Sequence, residues 1–167
     1  MKKFLKYAGI CSLVLAIVAF ILMMATKAIV KTDNSDYFVK GTMAIFGGTE
    51  SLFGALSIKY EGSVMALLAW IFALVALLIV LLGVILPLLK VKALTKFAGL
   101  LNLIACVLFV LAGVFMFFVV PTWYAANGLD VPSKVGIGAG WVIGAILYLG
   151  AGAAAILPAA MDFAAKK

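Results

Sequence analysis

Four long stretches of the chain carry no charged residue: 7–26, 62–89, 97–120 and 135–161. A helix needs about 20 apolar residues to cross a bilayer, so each stretch is long enough to span one. Polar and charged residues gather between them. The pattern predicts four transmembrane helices, at about 5–27, 62–89, 97–120 and 135–161, with connecting loops at 28–61 and 121–134. The expected fold is an all-α membrane protein, a single domain over 1–167 built as an up-down four-helix bundle.

Within the spans the small residues are periodic. Gly136, Gly140 and Gly144 recur every four residues, and Gly152, Ala155 and Ala159 continue the track. Ala66, Ala69, Ala73, Ala76 and Gly83 step by three and four, apart from one longer interval. Gly99, Cys106 and Gly113 repeat every seven, and Gly9, Ser12, Ala16 and Ala19 share a face of the first span. Apolar helices gain little by hiding from lipid, so they associate where small side chains let backbones approach. Gly113, Gly136, Gly140, Gly144, Ala69, Ala73 and Ala76 are therefore the expected packing positions.

The first loop is long for a helix connection. Asp33-Asn34-Ser35-Asp36 signals a turn, and Gly47-Gly48 between the β-prone runs 42–46 and 52–60 predicts a short hairpin or sheet. A short amphipathic helix over 50–56 is the competing expectation. Phe46, Phe53, Leu56 and Ile58 leave apolar surface in this loop with no disulfide to brace it, so Phe46, Gly47, Gly48, Phe53 and Leu56 are its candidate partner-binding residues. In the second loop, Asn127-Gly128 marks a turn and Pro121 is expected to close the third span.

Composition agrees with the pattern. The chain is 68% hydrophobic and 11% charged, against about 45–50% and about 25% in ordinary globular domains. Its net charge of +7 comes entirely from lysine. Lys2, Lys3, Lys6, Lys90, Lys92, Lys96, Lys166 and Lys167 fall on one side, opposed by Asp162. The other side balances its lysines with acids. Excess lysine marks the cytoplasm, which places both termini inside and the loops 28–61 and 121–134 outside. The basic charge is thus topological, and no nucleic-acid partner is expected.

Candidate chemistry is sparse. No span holds Asp, Glu, Lys, Arg or His, the groups that proton coupling, hydrolysis or metal binding would use. Cys11 and Cys106 have no metal-ligand spacing, and Asp33 and Asp36 lack the spacing of a calcium loop. No metal, cofactor or catalysis is expected. Asn102 and Ser12 are the notable polar residues inside spans; an amide in hydrocarbon needs a partner, which an interhelical hydrogen bond would supply.

Leu111-Ala112-Gly113, then Val120-Pro121-Thr122-Trp123-Tyr124-Ala125, and Gly140-Trp141 ahead of a Gly/Ala-rich helix are similar to claudin helices three and four. With four spans and a long first outer loop, the chain resembles the claudin and peripheral-myelin-protein superfamily. It also resembles small lysine-rich four-span proteins of bacteria. The first loop lacks the tryptophans and cysteines of claudins, so no family site residue transfers. The expected function is non-enzymatic: a structural or partner-binding membrane protein acting through helix packing and its outer loop, with the lipid bilayer and a membrane protein or a second copy as partners. The alternative is a small oligomeric channel, holin or transporter, which would need a polar path.

Overall fold

The computed structural model describes residues 2–32, 34–52, 56–88 and 98–164. Among the described residues, four helices are long and apolar enough to cross a membrane: α1 (Lys2–Ala25), α3 (Val64–Leu88), α4 (Ala98–Met116) and α6 (Ala139–Ala164). Between α1 and α3 lie β1 (Lys27–Lys31), β2 (Asn34–Lys40), the short helix α2 (Gly41–Phe46), β3 (Gly48–Leu52) and β4 (Leu56–Tyr60). Between α4 and α6 lie helix α5 (Val119–Ala126) and strand β5 (Val135–Ile137). All five strands, with α2 and α5, gather at one end of the bundle as a lid.

Around the bundle the helices follow the order α1, α6, α4, α3. The broad interfaces are α4 on α6, α1 on α6 and α3 on α4, and α1 meets α3 more sparsely. Each helix turns its small residues inward. Ala66, Ala69, Ala73 and Ala76 are completely buried, as are Ala16 and Ala19, Ala105 and Ala112, and Ala145 and Ala151. Large aliphatic residues such as Val14, Ile21, Leu78, Val107 and Ile146 point outward. Small inside and large apolar outside suits a hydrocarbon solvent, where close backbone packing drives association. Phe109, Met116, Trp141, Tyr148 and Met23 fill the centre, with the Phe109 and Tyr148 rings stacked at 6.0 Å.

The lid is more elaborate than one hairpin. Its first sheet has the order β2-β1-β5, antiparallel throughout. β1 is central: Ile29 pairs with Val39 on one side and with Ile137 on the other. The second sheet is the hairpin β3-β4, from Gly48↔Tyr60 to Leu52↔Leu56.

Several sequence expectations are corrected. The run 42–46 is helical, and Gly47 ends that helix at φ 74, a left-handed conformation suited to glycine. Gly47-Gly48 is thus a helix stop and strand start; the hairpin connection lies at 53–55, outside the described residues. Glu50–Leu52 belongs to a strand, which excludes the helix over 50–56 there. Pro121 does not close the third span. α4 stops at Met116, and Pro121 sits in the first turn of α5, where its missing N–H costs nothing. Finally, Gly136 is not on the fourth helix. It pairs with Val30 in the sheet, and α6 begins at Ala139. The ladder to β1 fixes extended backbone through Ile137. Gly138 then passes so close to the Lys27 carbonyl that a Cβ would overlap it.

Candidate interaction surface at the lid

The lid is tied to the bundle through backbone contacts that glycines permit. Gly41 donates its N–H to Thr26 O at 2.8 Å, and a Cβ there would overlap the Met23 carbonyl. At the other end of α2, Gly62 passes against the Ile45 carbonyl, and Ser63 N–H bonds Ala44 O at 2.7 Å. α2 therefore straps the lid end of α1 to the start of α3.

Ser63 caps α3, its Oγ accepting from Ala66 N–H at 3.2 Å. Ser63 and Thr122 hydroxyls lie 2.6 Å apart, and Thr122 donates to Phe118 O at 2.6 Å. Thr122 has one proton and gives it to Phe118, so Ser63 is the donor between the hydroxyls. This relay pins α5 to the start of α3. Asn127 adds a second tie: its Oδ1 accepts from Glu61 N–H at 2.8 Å and its Nδ2 donates to Glu61 O at 3.0 Å and Trp123 O at 2.8 Å. Tyr60 lies against Trp123 with centroids 5.5 Å apart. The two loops are thus one unit. Ser63 ahead of an apolar run is a legible cap. Asn127 carries a turn signal, but its partner is 66 positions away and no local pattern reveals it.

The packing candidates divide by environment. A Cβ on Gly113 would stand 2.9 Å from Ala145 O, and one on Gly152 would stand 3.1 Å from Cys106 O, so α4 and α6 meet backbone to backbone. Gly140 faces the Thr26 side chain, and Gly144 faces Ala19 O at 3.4 Å, both toward α1. Gly136 has open space around it. Ala69, Ala73 and Ala76 line the buried face of α3.

Of the polar candidates on the long apolar helices, Ser12 is completely buried and donates to Ala151 O at 2.8 Å, joining α1 to α6. Asn102 is half-buried on α4 with its Oδ1 over Gly83 of α3, and its amide has no hydrogen-bond partner among the described residues. These two groups lie on different interfaces and form no continuous polar path. The indole N–H groups of Trp70, Trp123 and Trp141 are buried without a hydrogen-bond partner among the described residues. Among the described residues no cluster of three or more His, Cys, Asp or Glu could hold a metal.

No family model matches the chain, and no curated protein matches it.

The loop candidates are also separated. Phe46 is 53% exposed at the end of α2, its ring edge-on to Trp70 with centroids 5.1 Å apart. Gly47 and Gly48 form the junction behind it. Leu56 lies on β4, opposite Leu52, and Phe53 falls outside the described residues. The hairpin's exposed side chains include Thr49, Glu50, Ser57 and Lys59. The lid thus offers an apolar flank at Phe46 and, on the hairpin, these exposed polar residues.

Proposed function

We propose that the chain is a non-enzymatic, multi-pass membrane protein that holds a rigid lid outside the cytoplasmic membrane for contact with a protein partner. The observation that carries this reading is the double tie of the lid, through α2 at one end and Asn127 at the other. A connection that needed only to join two spans requires about 2–8 residues. This one builds two sheets and is fastened to the second loop. The resemblance to the claudin-like four-span plan accords with that role. A channel or transporter is the weaker reading, because the bundle centre is filled by alanines and aromatic rings and the two span polar groups lie apart.

The hairpin β3-β4 pairs strand to strand with itself. Replacing 49–59 by a short Gly/Ser linker, with Gly48 and Tyr60 kept, is expected to leave thermal stability close to wild type. It should remove the partner from the intact complex weighed after capture in mild detergent. Retention of every partner, or failure of the variant to fold, would overturn the assignment of contact to the hairpin.

The lysine asymmetry supports a placement with both termini in the cytoplasm and the lid outside. A single cysteine at Ser133, which is exposed beside β5, in a background lacking Cys11 and Cys106, is expected to react with an impermeant thiol reagent on intact cells. Reaction only after lysis would reverse the orientation.

A further inference from the structure

Helix α2 belongs to the lid, and the side chain at its end lies against the long helix α3. Gly41, Ala44 and Ile45 are buried against the bundle, which leaves Thr42 and Phe46, four residues apart, on the outward face. Phe46 lies beside α3. Its ring packs on Trp70, six positions inside α3, about 9 Å along the axis from Val64. Phe20 of α1 also lies against Trp70, with centroids 6.4 Å apart. The three rings cover the α1–α3 side of the bundle, where those helices pack least on each other.

The surroundings of this cluster continue the outward apolar surface of the spans. Val64 is 62% exposed, and Leu67 and Ile71 follow on the outward side of α3, with Ile17 and Ile21 on α1. Two exposed lysines, Lys27 and Lys40, pair by Cα position across β1 and β2 at this end of the bundle. The Lys27 Nζ lies over the Phe38 ring, 4.1 Å from its centroid. Lys40 immediately precedes α2, and Lys27 follows the end of α1. Aromatic rings along the side of the bundle, next to a lysine at the start of α2, match a phospholipid leaflet, with acyl and glycerol groups at the rings and phosphates at the ammonium. A protein partner at the same place would have to displace lipid from a surface that is continuous with the lipid-facing spans.

We propose that the Thr42–Phe46 face of α2 is a phospholipid-docking surface: Phe46 enters the outer leaflet beside Trp70 while Lys40 meets its phosphates, fixing the depth of the lid. This rests on the membrane-spanning reading above and adds the identity of the ligand at that face. It assigns Phe46 to lipid and leaves the hairpin for protein.

The test uses the full chain without Cys11 and Cys106, carrying one cysteine at a time in place of Phe46, Leu78 or Glu50. Each is labelled with the fluorophore NBD and reconstituted in phosphatidylcholine–phosphatidylglycerol vesicles. Leu78 lies midway along α3 and points outward. Its probe should be quenched most by lipid brominated near the acyl methyl end. The Phe46 probe should be quenched most by lipid brominated near the glycerol end and only weakly by aqueous iodide. The Glu50 probe should respond to iodide. If iodide quenches the Phe46 probe as strongly as the Glu50 probe, the face is in water and the proposal fails. If neither quencher reaches it, protein covers the face and the proposal also fails. Loss of lipid quenching at Leu78 would instead overturn the membrane-spanning reading itself, and the proposal with it. Phe46→Ser with unchanged melting but an iodide-accessible probe at position 42 would show that the ring, rather than the fold, sets the depth.

Discussion

Replacing Gly41 by alanine is expected to lower the melting temperature of the detergent-solubilised protein by roughly 5–10 °C, for the addition of one methyl group. The added Cβ would overlap the Met23 carbonyl and stand 3.1 Å from the Thr26 carbonyl. Both obstacles are backbone, and both belong to the last turn of α1 and its exit into β1. Neither can rotate aside as a side chain would. The strain must therefore lift α2 from α1, and with it the Gly41 N–H bond to Thr26 O. Overpacking of this kind costs roughly 1–3 kcal/mol, and a wholly backbone obstacle belongs at the upper end. Gly136→Ala is the matched control. Its new methyl meets nothing within 4 Å, and the change should fall within about 0.5 kcal/mol of wild type. Thermal unfolding of both variants, followed by tryptophan fluorescence, decides the matter. Equal melting temperatures would mean that α2 is not clamped to α1.

A leucine at Gly113 should separate the two most extensively packed helices. Its Cβ would stand 2.9 Å from Ala145 O and 3.2 Å from Leu149 Cγ before the rest of the side chain is added. Leu149 can change rotamer, but the Ala145 carbonyl is part of the α6 backbone. The expected loss is about 3 kcal/mol, with weakened near-ultraviolet circular dichroism as the Phe109–Tyr148 stack opens. Gly144→Ala is gentler, because its nearest neighbours, Ala19 O and Met116 Cε, lie at 3.4 Å. Ranking the two by melting temperature tests whether the tightest helix contact is α4 on α6. A Gly144→Ala variant that melts lower than Gly113→Leu would reverse that order.

What the sequence determined by itself is the part governed by periodicity and solvent. Charge-free runs longer than a bilayer located four helices, and the spacing of Ala66, Ala69, Ala73 and Ala76 identified the inward face of α3. Such signals are local: a helix repeats every 3.6 residues wherever it stands, and small residues mark the side that neighbours can approach. What only the tertiary structure decided depended on partners distant in the chain. Gly136 continues the four-residue rhythm of Gly140 and Gly144, yet β1 captures it as a strand, because ladder hydrogen bonds with Val30 outweigh a periodic hint. The run 42–46 reads as β-prone but closes into a helix, since the approaches at Gly41 and Gly62 fix both its ends. Asn127 clamps Glu61 and so joins two loops whose sequences say nothing of each other. Phe46, at the end of a loop segment, hangs beside Trp70 because α2 is strapped across the ends of α1 and α3. Backbone hydrogen bonds and close approaches between remote segments settled each of these, and their energies depend on geometry that no single window of sequence contains.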